Sequence, residues 1–269
     1  MEISHGRFLV PNHTTMSRLF VLSVIAFITA CQPNDNKLHT TGSFQPLIPY
    51  KTASDIATPA GYKRINISET SFGVWLRNIG IKKDNHVYLY NGELKKDQSV
   101  QFAVLDISVS KKDLQQCADA VMRLRAEYLF SQKRYADITF RDNDGKVYKW
   151  TGGTDRSGFE HYLENVFGRC GSASLEKQLN PVNDIKEIQP GDVFIKGGFP
   201  GHAMIVADVA INDKGNKVFM LAQSYMPAQD IHIVKNPLDD KLSPWYDSND
   251  MKQLVTPQWE FSIGQLRRW

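Results

Sequence analysis

The stretch HAMIVADVAINDKGNKVFMLAQSYM (residues 202–226) holds two apolar runs separated by a polar, Gly-containing turn. Asn, Asp and Gly in NDKGNK are turn formers, so residues 202–211 and 218–225 read as strands joined in sequence. The turn IQPGD opens an earlier strand over 193–196, and a later one follows over 231–234. The C-terminal half is therefore expected to be a mostly antiparallel sheet.

Upstream the pattern changes to helices. SETSFGVWLRNIGI carries Phe72, Trp75, Leu76 and Ile79 at helical spacing. DLQQCADAVMRLRAEYLF (113–130) predicts a longer helix: Asp113 is a good N-cap, and Leu114, Cys117, Val121, Leu124 and Tyr128 form one stripe. Arg123 and Glu127 are spaced for a charge pair on its polar side. HVYLYNG and SVQFAVLDISV read as two strands joined through ELKKDQ, and ADITFRDNDGKVYKW as a hairpin around Asn143-Asp144-Gly145. SGFEHYLENVFGRCG predicts a helix closed by Gly171, and SASLEKQLN a short one stopped by Pro181. Helices followed by antiparallel strands make an α+β domain, placed at 46–269.

The N-terminus has another character. MSRLFVLSVIAFITACQPN (16–34) has one Arg and then an apolar run over 19–27, too short for a membrane-spanning helix and proportioned as an export signal. Ile28-Thr29-Ala30-Cys31 resembles a bacterial lipobox, which implies cleavage after residue 30 and lipid attachment at Cys31. Residues 31–45 then read as a polar tether. Asp does not follow Cys31, so an outer-membrane anchor is expected. A net charge of +3 over 269 residues, with no basic block interleaved with aromatics, argues against nucleic acid as partner.

Cys117 and His202 are the residues with definite chemistry. Cys117 falls in the first turn of a helix, where free N–H groups favour a thiolate. His202 opens an apolar strand after the turn GGFPG, so its ring can face a cleft while its neighbours fill the core. Gln223, on the next strand, offers an amide oxygen to the imidazole. Asp208 is a rival for that role, on the same strand as His202. His161 and His232 have no partner pattern and read as surface or sheet residues. Neither His-Glu-x-x-His nor paired Cys-x-x-Cys occurs, so no metal or other cofactor is implied.

A thiol at a helix start, a Pro-Gly-Asp turn into a sheet, GHAMIV, and a paired strand ending in a polar residue resemble the papain-like cysteine hydrolases. The NlpC-type cell-wall peptidases and amidases are the nearest flavour. LQQCADAVMRLRAEYL and GGFPGHAMIVADVA also resemble the bacterial lipoprotein family termed domain of unknown function 4846, over nearly everything after the tether. The papain-like resemblance implies Cys117 as nucleophile, His202 as general base and then acid, and Gln223 as the residue orienting the imidazole. It further implies an oxyanion hole from the Cys117 N–H with a Gln115 or Gln116 side chain. The expected substrate is an amide or acyl bond, with peptidoglycan peptides suggested by the compartment.

Three other readings remain open on the sequence. Cys117 could be a core residue, given its apolar stripe. It could pair with Cys170 in a disulfide. Or the cleft could bind an envelope component or partner protein without catalysis, since Gln116 before the cysteine and a Gln orienter depart from the NlpC-type pattern. Asp113 and Asp119 nearby would raise the thiol's pKa.

Overall fold

A computed structural model describes residues 49–269; the expected export signal, the expected lipid site at Cys31 and the expected tether lie outside them. In chain order the helices are α1 Phe72–Arg77, α2 Cys117–Ser131, α3 Arg156–Phe167 and α4 Ser172–Gln178. The strands are β1 Tyr62–Arg64, β2 Gln101–Val104, β3 Thr139–Arg141, β4 Val147–Lys149, β5 Asn180–Pro181, β6 Val193–Lys196, β7 His202–Asn212, β8 Lys217–Gln223, β9 His232–Val234, β10 Trp245–Asp247, β11 Gln253–Val255, β12 Glu260–Ser262 and β13 Leu266–Arg268.

The molecule is α+β, built on one large antiparallel sheet whose centre is the β7–β8 hairpin. The order is β2-β9-β8-β7-β6-β13-β5, with β1 pairing the far end of β7 and β10 that of β8. β7 is apolar from Ala203 to Ala207 and again from Val209 to Ile211, because both its faces are covered. Ala203, Ile205 and Ala210 join Val121 and Leu124 of α2 in one cluster. Met204, Val206 and Val209 join Phe219, Leu221, Leu254 and Phe261 in the other. The two-residue alternation of β7 thus sorts its side chains between a helical layer and a layer closed by the β11–β12 hairpin. Each Leu, Phe or Met so buried contributes roughly 1.5–3 kcal/mol.

One extra residue between Val206 and Asp208 shifts the β7–β8 register. Beyond this bulge Asp208 accepts from Arg64 Nε and from Arg77 Nε, each at 2.6 Å. The bulge breaks the alternation and re-aims a side chain, as bulges do.

α2 differs from the expected amphipathic helix in two ways. It begins at Cys117 with Gln116 as N-cap, three positions later than an Asp113 cap implies. Asp113 instead accepts from Ala228 N–H at 2.7 Å and from Gln116 Nε2 at 3.1 Å. The helix is also buried nearly all round: Ala118, Ala120, Met122, Ala126 and Leu129 are as enclosed as the predicted stripe. Even Arg123 is buried; it forks onto Glu160 of α3 at 2.7 and 2.9 Å, with its Nε 2.7 Å from Glu127.

Other boundaries move for local reasons. Residues 86–92 make only isolated bridges, Tyr88 to Leu94 and Leu89 to Gln229, while β2 pairs with β9, so the two runs around ELKKDQ are not paired strands. α3 ends at Gly168, and Gly171 caps the start of α4. The β3–β4 hairpin forms around Gly145, whose φ of 84° suits glycine.

Candidate functional site

Cys117 stands at the first position of a 15-residue helix, where the backbone N–H groups have no partner within the helix. One of these orphans, the Gln116 N–H, donates to Asp119 Oδ2 at 3.1 Å. The thiol is largely buried, and burial, followed by the Asp119 charge, raises its pKa above the ordinary value. The N–H groups of Ala118, Ala203 and Cys117 work the other way. Ala203 directly follows His202, so the thiol sits at the entry of β7.

That entry is tightly built. A Cβ on Gly201 would come within 2.3 Å of the Gly198 carbonyl and 2.4 Å of Ser172 Oγ. Only glycine therefore fits before His202, and the GGFPG turn fixes where the imidazole enters the sheet. His202 is buried, its ring centroid 5.0 Å from that of Tyr225, 5.2 Å from Trp259 and 5.9 Å from Phe261.

The hydrogen bonds around His202 determine its tautomer. Lys95 Nζ donates to Gln258 Oε1 at 3.0 Å, so this Gln258 atom is an acceptor and must face a donor. That donor is Gln223 Nε2, at 2.9 Å. Gln223 Oε1 is then turned to His202 Nε2 at 2.9 Å, so His202 carries its proton on Nε2. A second constraint agrees. His232 Nδ1 donates to the Asp230 carbonyl at 2.9 Å, which leaves its Nε2 to receive Gln223 Nε2 at 3.4 Å. His202 Nδ1, left bare, can accept a proton.

Burial also holds both imidazoles neutral. It pushes His202 down to about 4, against a smaller opposing effect of the Gln223 bond, and pushes His232 down to about 3, helped by Lys95. Lys95 itself is lowered to about 8 by burial. A raised thiol and a lowered imidazole mean that the resting pair is a neutral thiol and a neutral base.

Cys117, His202 and Gln116 line one cavity of about 620 Å³, together with Asp119, Tyr225 and Cys170. Cys117 and Cys170 are both free thiols, so neither sulfur is locked in a disulfide. Burial, with Asp142 and Asp119 adding to it, pushes Cys170 up to about 12. Among the described residues no group of three or more His, Cys, Asp or Glu side chains is arranged for a metal ion, and no helix is long and apolar enough to cross a membrane.

The three residues singled out as a triad thus share one end of the β7–β8 hairpin, with His202 bonded directly to Gln223. Gln116 lines the cavity, whereas Gln115 is fully buried, does not line it, and leaves both its amide atoms unpartnered. Asp208 is occupied by two arginines and lies outside the cavity. His161 is exposed. His232 is a sheet residue, yet it belongs to the network that orients Gln223. Lys95, Gln258 and Trp259 had no signal in the sequence, because they reach the site from the bridged segment before β2 and from the β11–β12 turn.

A family model described as domain of unknown function (4846) matches residues 52–155 and 149–268. No curated protein matches the chain, and no solved structure does.

Proposed function

The chain belongs to the family described as domain of unknown function (4846), and we propose from its cavity that it is a papain-like Cys–His hydrolase or transferase acting on an amide or acyl bond. One observation carries the reading: Cys117, at the start of α2, shares a cavity with an imidazole whose Nε2–H is held by Gln223 and whose Nδ1 is free. A helix start supplies the thiol, a strand end the base, and a neighbouring strand the orienting amide.

In this mechanism His202 Nδ1 takes the thiol proton as sulfur attacks the carbonyl carbon. The Cys117 N–H, with the Gln116 side chain, receives the developing oxyanion. The imidazolium, braced by Gln223, then returns the proton to the leaving group. Water or an amine admitted to the cavity releases the acyl group from sulfur. Transfer of the thiol proton within a neutral pair, rather than a resting ion pair, fits the directions in which burial moves both groups.

The envelope setting comes from the sequence: an export signal ending at residue 30, a lipid on Cys31 and a tether to residue 45 would hold the domain at the outer membrane. Peptidoglycan peptides are the substrate that this compartment suggests. A second reading, a lipoprotein that binds an envelope component without catalysis, draws on the same buried, neutral pair.

Alkylation of Cys117 across pH, in wild type and His202→Ala, separates them. The catalytic reading expects a thiol that reacts slowly near neutrality, faster as pH rises, and about 10³-fold slower in the variant at pH 7. A thiol whose profile ignores His202 supports the binding reading.

A further inference from the structure

The walls of the cavity indicate what it can hold. Leu114, Phe167, Phe199, Met226 and Trp259 line it, and among the described residues no Lys or Arg does. Phe199 is fully exposed and Met226 is 62% exposed. Two large apolar side chains standing in water at the border of one cavity mark a surface that gains by being covered.

The charged residues of the lining are carboxylates, Asp113 and Asp119. Asp119 Oδ1 is buried with no hydrogen-bond partner, and burial pushes this carboxyl well above its usual range. Ionised, it repels an anion; protonated, it offers no positive counter-charge. At the start of α2 the Gln116 N–H already donates to Asp119 Oδ2, and the Cys117 N–H serves the reacting carbonyl oxygen in the mechanism above, so neither is left for a separate anionic group. An anionic ligand would therefore lose its hydration with no cation to replace it.

We infer that the cavity at Cys117 accepts an apolar group without negative charge beside the bond it presents to the thiol, and rejects groups bearing a carboxylate or phosphate there. The ligand class follows from the cavity walls, while the chemistry at sulfur rests on the Cys–His reading above. It narrows any peptide substrate to one whose residue next to the scissile bond is apolar.

Two measurements on the wild-type domain keep these apart. The first is equilibrium binding of phenylacetamide against its anionic analogue phenylacetate, followed by tryptophan fluorescence and by NMR. The amide is expected to bind about tenfold tighter or more. The second is the alkylation rate at Cys117, read by peptide mass mapping, for N-benzyliodoacetamide, iodoacetamide and iodoacetate, each normalised to its rate with glutathione. The benzyl reagent should lead iodoacetamide by about tenfold and saturate, and iodoacetate should trail. The benzyl advantage should vanish in Phe199→Ser/Met226→Ser. Preference for the neutral amide with an inert thiol upholds the cavity's selectivity and ends the thiol chemistry. A reactive thiol with no preference among reagents, and no difference between amide and carboxylate, overturns the inference while leaving the Cys–His reading intact.

Discussion

Gln223 accepts the Nε2–H of His202 at 2.9 Å, and the other end of the same amide donates to Gln258 at 2.9 Å. Because one amide is held at both ends, the bare nitrogen of His202 is left as Nδ1. Gln223→Leu removes the acceptor and frees the ring to choose the other tautomer. Alkylation of Cys117 at pH 7 should fall by about 10²-fold if the imidazole assists it. A Gln223→Leu protein that melts normally and reacts like wild type would remove Gln223 from the site.

Gln258 should act at one remove. With Gln258→Leu the Gln223 amide loses the acceptor that sets its direction, although the His232 contact remains. A mixture of His202 tautomers is expected, with a fall in Cys117 reactivity of about tenfold, within the range seen for indirect partners. Imidazole ¹⁵N shifts read the tautomer directly. A single unchanged Nε2–H form in the variant would show that Lys95 and Gln258 do not set it.

Much of this site could be read from the chain because it is local to one hairpin. His202 and Gln223 are 21 positions apart, but the NDKGNK turn brings the ends of their strands together, and strand alternation then puts both on one face. Cys117 was recognisable as a helix residue, though its place at the first position was not. The cap on Gln116 depends on Asp113 being drawn away to Ala228, a contact across 115 positions. His232, Lys95 and Gln258 were invisible for the same reason: what makes them partners is the packing of β9 and of the β11–β12 turn on the far face. The breadth of burial on α2 was hidden too, because Arg123 reads as a solvent-facing charge until α3 supplies Glu160.

Asp208 illustrates how sequence proximity misleads. It shares β7 with His202, but the bulge at 206–208 turns it to Arg64 and Arg77. Asp208→Asn leaves two guanidinium groups facing a neutral amide in a buried setting. A stability loss of about 3 kcal/mol in urea unfolding is expected, with Cys117 reactivity unchanged in the folded protein. A change in thiol reactivity at equal stability would return Asp208 to the list of orienting residues.

The buried histidines should also make the fold acid-sensitive. In the folded protein His202 titrates at about 4 and His232 at about 3, both below the ordinary value of 6.5. Between those values the unfolded chain binds protons that the native state refuses, so stability rises with pH there. The histidine contribution is complete above pH 6.5 and is lost as pH falls toward 4. Two units of pH, from 7 to 5, should remove on the order of 2 kcal/mol per histidine. Asp119, raised by burial, works in the opposite direction, stabilising the fold as it takes up its proton. The comparison must therefore be with a variant. His232→Asn keeps a donor for the Asp230 carbonyl but cannot titrate, so its urea midpoint should drop less between pH 7 and pH 5 than that of wild type. Equal drops in the two proteins would mean that His232 accepts a proton in the native state, and that the neutral network fixing Gln223 does not hold at acid pH.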